Sequence, residues 1–553
     1  MKIPNAVSRI VARGAIALTA ALTASCLSCA VPAYAQDPQA SPPAAQCSAL
    51  TSLASPNLVI TTAQAVAAGP SPPPPMMMMP GMKLPDLPAH CLVRGVLNPR
   101  KGADGRQYGI GFELRMPQKW NERFLFQGGG GLDGFVLPAV GATAAGEHPA
   151  LTRGFAVISS DGGHEGMDLS FAGDEKAKSD YAYAQLGAIA DLGKTIVAQY
   201  YGKKAKYSYF VGCSNGGREA MVAADRFPGA FDGVVAGDPG FNLSAAAINE
   251  VWSLKQLEAI APKDAQGQPI LSQALSDDDL GLVAHAVLAA CDGLDGLADG
   301  MINNRSACRF DPKVLTCKKG QSSGCLAPHK ITALKAVFNG PRDSSGHALY
   351  ASLPYDAGIG TPGWRMWKLG NSPTANPNAI DATMGLNALR FYFLTPPQPG
   401  VTAQTFDFDH AVAQTRQTAD INDVTGALSA YAARGGKLIV YQGMSDPVFS
   451  ANAIIDWYRH IDAKDPAAQN WARLFLVPGM NHCGGGPACD QFDALSAVQS
   501  WTEESTAPDR IVAHGQAFSG VERPLCPFPK FASYSGGNVG DARSFVCKAV
   551  GAR

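Results

Sequence analysis

Short apolar runs recur along the chain at residues 124–126, 155–159, 207–211, 233–237, 437–441 and 474–477. Each is too short for a helix, and most are rich in β-branched or aromatic residues, the pattern of buried strands. Residues 183–201 carry helical periodicity, and so do residues 218–226, which contain neither Gly nor Pro. Strand and helix in alternation predict an α/β fold with a mostly parallel sheet. The rhythm breaks near Asn242 and resumes before Lys437. Residues 242–423 instead combine helical patterns, four closely spaced cysteines and Trp/Gly/Pro-rich loops. They read as a domain inserted into a core built from two parts, 85–241 and 424–553.

The N-terminal region differs in kind. Lys2, Arg9 and Arg13 precede an apolar stretch at 15–31, and Ala33-Tyr34-Ala35 is a small-residue cleavage motif. This is the pattern of a secretory leader, residues 1–35, cleaved after Ala35. The stretch is short for a membrane span, and no later one is apolar enough. Residues 36–84 include four prolines followed by four methionines and are expected to form a disordered Pro/Met-rich arm.

Composition narrows the options. Over 553 residues, 46% are hydrophobic and 16% charged, a globular balance. A net charge of -1 gives no reason to expect nucleic acid or an anionic membrane as partner. A small-molecule substrate and a monomer are expected. Of 13 cysteines, Cys26 and Cys29 leave with the leader. The rest are read first as disulfides of an exported protein, and their odd number leaves one over.

Gly212-Cys213-Ser214-Asn215-Gly216 reads G-x-S-x-G between a strand and a helix, the setting of a nucleophilic serine. A serine hydroxyl needs a base, and the base needs a carboxylate to orient it. Asp446 follows the 437–441 strand and His482 follows the 474–477 strand, so Ser, acid and His come in the order of an α/β-hydrolase. Cys213 precedes the serine and Cys483 follows the histidine. A bridge between them would tie the two loops together; two buried free thiols are the alternative. The glycines at 128–131 follow an early strand, where one oxyanion N–H is expected, with Asn215 supplying the other. Asp292, Asp295 and Asp299 alternate with glycines in a short loop that suits a hard cation such as Ca²⁺. The loop is not an EF-hand, because Asn303 stands where that motif demands Glu. Cys291 and Cys308 flank it, so the ion is read as structural.

The segments 212–218, 443–446 and 478–483 together resemble the tannase/feruloyl esterase family, and the likeness runs from about Leu87 to the C-terminus. The resemblance implies an α/β-hydrolase core with a large lid inserted between nucleophile and acid, and a Ser214–His482–Asp446 triad. It implies oxyanion donors at Gly131 and Asn215, and Trp367 and Phe449 against the substrate ring. It implies Ca²⁺ held by Asp292, Asp295 and Asp299 with the carbonyls of Leu297 and Met301. It also implies the pairs Cys213–Cys483, Cys47–Cys91, Cys291–Cys308, Cys317–Cys325 and Cys526–Cys547, leaving Cys489. One departure stands out. A lid arginine that grips a free carboxylate in the terephthalate-monoester branch of the family falls at Ile380 or Asp381 here, with Arg390 nearby. The expected function is therefore a secreted serine hydrolase of aromatic acid esters, feruloyl- or galloyl-type, with a terephthalate monoester as a further candidate. A calcium-stabilised binding protein on a hydrolase scaffold and a secreted serine peptidase are the competing readings.

Overall fold

The computed structural model describes residues 44–72 and 85–550. The leader and its cysteines, and the Pro/Met tract from residue 73 to 84, lie outside the described residues.

Nine strands form one sheet: β1 (Leu58–Val66), β2 (His90–Lys101), β3 (Gln107–Pro117), β4 (Arg123–Gln127), β5 (Ala156–Ser160), β6 (Tyr207–Cys213), β7 (Gly233–Gly237), β8 (Lys437–Gly443) and β9 (Ala472–Val477). Their order is β1-β2-β3-β5-β4-β6-β7-β8-β9. β1, β2, β3 and β5 pair antiparallel; from β5 through β4 to β9 every pairing is parallel. All residues of β5 and β7 are buried, as a parallel sheet covered on both faces requires. The register sets Cys213 beside Gly237 and Gly443 beside Val477, so the carboxyl ends of β6, β7, β8 and β9 open onto one edge. Open α/β sheets place their ligand sites at such an edge.

The arm expected over 36–84 needs correction. Ala44–Ser48 is helical, and β1 is an ordered edge strand paired along β2. The Cys47–Cys91 bridge fastens this segment to the sheet. The β-branched run Val59-Ile60-Thr61-Thr62 suits a strand.

The chain between β7 and β8 supplies five longer helices: Leu243–Glu258, Asp277–Cys291, Pro328–Asn339, Pro362–Lys368 and Ala411–Asn422. Val251, Val283, Leu334 and Tyr392 belong to one buried apolar cluster in this segment. Phe171 and Tyr181 join that cluster from the sheet side, so the segment sits on the core through a continuous apolar contact. The helix Asp277–Cys291 starts with a full capping box between Ser276 and Asp279 and runs into the aspartate-rich loop.

Candidate active site

Ser214 ends β6 and begins the helix Asn215–Arg226. Its φ of 63° lies in the left-handed region, which costs a non-glycine residue about 1–3 kcal/mol. Backbone bonds hold it there: Ser214 N–H donates to the Gly237 carbonyl at 3.0 Å, and Arg218 N–H donates to the Ser214 carbonyl at 3.0 Å. Glycine is needed at 216. A Cβ there would lie 2.6 Å from the Gly129 carbonyl oxygen, so only glycine lets the helix approach the 128–131 loop.

The other two members come from the ends of β8 and β9. Asp446 Oδ2 meets His482 Nδ1 at 2.9 Å, and His482 Nε2 meets Ser214 Oγ at 2.7 Å. Asp446 is fixed by its own turn: Oδ1 accepts from the N–H groups of Val448 (2.7 Å) and Phe449 (3.1 Å), and Oδ2 from Gln442 (3.0 Å). Burial disfavours the charged imidazole, but the charge and hydrogen bond of Asp446, with help from Asp238, outweigh it, and the His482 pKa is raised. Trp367 and Phe449 each pack edge-to-face on the imidazole, both with ring centroids 5.3 Å away.

Asp238 is the functional neighbour that the sequence reading missed. It follows β7 in Gly237-Asp238-Pro239-Gly240 and is fully buried. Its carboxylate accepts from the N–H groups of Gly443 (2.6 Å) and Cys483 (2.7 Å), joining the acid loop to the histidine loop. Burial, then the charge of Asp446, pushes its pKa up to about 8. Its place at the end of a buried strand beside the serine strand was the available signal. Cys213 and Cys483 are bridged, with Cα atoms 6.0 Å apart, and the other four expected pairs are bridged as well. Cys489 is buried and unpaired among the described residues.

The 128–131 loop is held from beneath by two buried acids. Glu219 accepts from Gly129 N–H at 2.8 Å, and Asp133 accepts from Gly130 N–H at 2.9 Å and from the Asn215 side chain at 2.9 Å. Tyr181 Oη lies 3.3 Å from the Gly131 carbonyl oxygen and 3.4 Å from Asn215 Oδ1, linking the two expected oxyanion positions. Fully buried Arg218 donates to Asn215 Oδ1 at 2.7 Å. Burial, then the charge of Glu219, raises the Asp133 pKa well above the usual carboxylate range. The Asn215 N–H sits in the first turn of its helix, where no intrahelical acceptor exists.

The aspartate loop is closed by Cys291–Cys308. Burial raises the pKa of Asp295 to about 6 and also raises that of Asp299; the other aspartates of the loop add to both shifts. Carboxylates that raise one another, with backbone carbonyls alongside, are the hard-oxygen chemistry of a Ca²⁺ site. In the described conformation, however, Asp292 accepts from the N–H groups of Asp299 and Gly300, and Asp299 pairs with Arg523. Among the described residues, two groups of acid, His and Cys atoms converge within 4.8 Å, both containing Asp238, and neither lies in this loop. The donor types therefore fit the ion, while their arrangement is a closed, internally bonded one.

Of the two positions expected to replace the lid arginine, Ile380 is half-buried and Asp381 is fully buried against Lys368 (2.8 Å). Arg390 donates to Asn387 Oδ1 (3.2 Å) and to the Val401 carbonyl, both within its own segment.

A strained serine at the end of a parallel strand, with an acid and a histidine on two later loops, is the arrangement of the α/β-hydrolase fold. Solved structures agree on the fold: feruloyl esterase B from Aspergillus oryzae superposes with a TM-score of 0.77 at 24% identity, covering 91% of this chain and 100% of that one. The "Tannase and feruloyl esterase" family matches residues 91–548, and the chain belongs to it. It is a carboxylic ester hydrolase. The mono(2-hydroxyethyl) terephthalate hydrolase of Piscinibacter sakaiensis is 40% identical over 515 residues, 84% of this chain and 85% of that protein. A probable feruloyl esterase of Arthroderma benhamiae is 29% identical over 466 residues, 78% and 81% of the two chains.

Proposed function

We propose that the chain is an exported serine esterase that cleaves esters of aromatic acids through an acyl-enzyme. The observation that carries this reading is the unbroken chain Asp446–His482–Ser214, with contacts of 2.9 and 2.7 Å, lying under Trp367 and Phe449. Ser214 Oγ attacks the ester carbonyl while His482 Nε2 takes its proton. Asp446 holds the Nδ1–H tautomer and stabilises the imidazolium. The N–H groups of Gly131 and Asn215 receive the oxyanion. His482 then protonates the leaving alcohol, activates a water and restores Ser214 when the acid departs.

The acid side of the substrate is aromatic and of feruloyl or galloyl type. The two rings on His482 support an aromatic acid, and the likeness to a probable feruloyl esterase supports the feruloyl type. A terephthalate monoester is the weaker substrate, because Asp381 is spent on Lys368 and Arg390 on its own turn. A charge-assisted contact is worth about 1.5–3 kcal/mol, so its loss favours neutral aromatic esters by roughly ten- to a hundredfold. The segment 242–423 acts as the lid that carries Trp367. Asp292, Asp295 and Asp299, with the carbonyls of Leu297 and Met301, hold a structural Ca²⁺ once the loop opens its internal bonds. Export through the leader supplies the oxidising compartment that five disulfides require.

The test is a panel of ferulate, gallate and terephthalate monoesters against the wild type and Ser214→Ala. Turnover should vanish in Ser214→Ala, and kcat/KM should be lowest for the charged monoester. Wild-type turnover by Ser214→Ala would sink the mechanism, and a terephthalate preference would sink the substrate assignment.

A further inference from the structure

A cavity of about 700 Å³ opens on the far side of the acid and histidine loops. Its walls come from the loop after the aspartate cluster, from residues 352–355, from the helix Ala451–Lys464 and from residues 524–532. Ser214, Trp367 and Phe449 are not among its lining residues, so it is separate from the site above. Its volume falls in the range of sites that enclose a small organic ligand.

The lining is cationic and aromatic together. Arg305, Arg309, Arg459 and Lys530 face it, against a single carboxylate, Asp462. Arg309 donates to the Ser306 and Cys308 carbonyls, while Arg459 meets the exposed Asp456 at 3.4 Å and lies over the Phe528 ring, 5.5 Å from its centroid. Two buried donors in the wall have no partner at all, Arg305 Nε and Tyr355 Oη. Leaving a buried donor unmade costs about 1–3 kcal/mol, and both residues line the cavity. Neither can turn away. Arg305 is anchored through its other end to Asn452 Oδ1, and the Tyr355 ring is stacked on Phe338 with centroids 4.0 Å apart. Burial lowers the pKa of Arg305; Asp356 and Asp456 oppose this, while Arg459 and Arg309 add to it. An anion in the cavity would relieve that crowding. Phe310, Phe528 and Phe531 complete a wall suited to a flat ring.

We propose that this cavity is a second ligand site that takes an aromatic carboxylate, its carboxylate on Arg305 and Arg459 and its ring among Tyr355, Phe310 and Phe528. A guanidinium fork matches a free carboxylate in a bidentate manner, and four cationic side chains line the cavity. A neutral ring would leave the cations uncompensated, and an inorganic anion would leave the aromatic wall wet. The inference rests on the lining alone and stands apart from the esterase reading.

Calorimetric titration of the full-length protein with 2-naphthoate tests it, with 2-naphthalenemethanol as the neutral analogue. The wild type should bind the carboxylate at least about tenfold more tightly than the alcohol, and Arg305→Gln/Arg459→Gln should weaken the carboxylate about tenfold or more. Ester turnover by that variant should match the wild type, which separates the two sites. Should the double variant not fold, Arg459→Gln alone, at an exposed side chain, should still weaken binding several-fold. Absence of binding up to about 10 mM, equal affinity for acid and alcohol, or an isotherm unchanged in a folded variant would each overturn the proposal.

Discussion

Replacing both ends of the central bridge, as Cys213→Ala/Cys483→Ala, separates stabilisation from positioning. The bridge spans 270 residues. Loop-closure entropy for that length gives about 5 to 6 kcal/mol at 25 °C. The bridges inside the loop, spanning 17 and 8 residues, change this by only about 0.1 kcal/mol, because the dependence is logarithmic. Residual structure in the unfolded chain reduces the figure, so a loss of about 3 to 5 kcal/mol is expected. With an unfolding entropy of about 2.1 cal/mol/K per residue over roughly 500 residues, that is a fall of only about 3 to 5 °C in Tm.

The kinetic effect should be larger. Ser214 and Cys483 both hold left-handed backbone, at φ of 63° and 60°, and the bridge joins their immediate neighbourhood. Without it, the histidine loop is kept by hydrogen bonds alone, including those of the Cys483 N–H to Asp238 and of the Gly479 N–H to Asp356. A displacement near 1 Å between Ser214 and His482 costs on the order of a hundredfold, and Asp238 restrains part of it, so kcat should drop about ten- to a hundredfold. The assay pairs kcat on a chromogenic aromatic ester with thermal unfolding at fixed scan rate, after intact mass has verified the substitutions. A kcat within about twofold of wild type, in a protein that melts earlier, would falsify the positioning role. A large kcat loss with unchanged Tm would instead refute the loop-entropy argument.

Three further outcomes follow from the same geometry. Because the base must be neutral and the His482 pKa is raised, kcat/KM should fall as pH drops, with its midpoint above the ordinary 6.5; a midpoint at or below that value contradicts the assigned environment. Millimolar Ca²⁺ should raise Tm and a chelator should lower it, and Asp295→Asn should abolish the difference while leaving kcat within about twofold; an equal Ca²⁺ response in Asp295→Asn removes the loop as the site. Glu219→Ala releases the Gly129 N–H and should lower kcat about ten- to a hundredfold with little change in KM, since the loop it holds acts on the oxyanion; a pure KM effect would place that loop in ground-state binding.

The parts of this site that were legible in sequence are those whose signature is local. Ser214 announces itself because a strained turn between strand and helix needs glycines at fixed offsets. Asp446 and His482 were legible because a parallel sheet puts loops at strand ends, and the order of the three is set by the fold. β1 was masked by its neighbour in sequence: the Pro/Met tract dominates the composition of 36–84, while the pairing that orders Leu58–Val66 is with a strand beyond that tract. The cavity was equally hidden, because Arg305, Tyr355 and Arg459 come from three separate stretches that only packing brings together.

The bonds that Asp133, Glu219, Asp238 and Asp356 make were illegible for a more general reason. Each accepts backbone N–H groups, and every residue but proline owns one, so no partner residue type marks the bond. Glu219 holds Gly129, Asp133 holds Gly130, Asp238 holds Gly443 and Cys483, and Asp356 holds Gly479 at 2.7 Å. All four are buried with raised pKa, burial being the first cause each time. Burying a carboxyl group this way costs stability. The return is that each loop bearing an oxyanion donor, the acid or the base is tied to a rigid strand end or helix. One of those ties falls on a residue whose backbone is itself unfavourable, Cys483, and the bridge joins that residue to the neighbour of Ser214, which shares the strain. A backbone held in the left-handed region persists only where its surroundings over-determine it. The buried acids and the Cys213–Cys483 bridge together provide that over-determination, which is why removing any one of them is expected to lower turnover before it unfolds the chain.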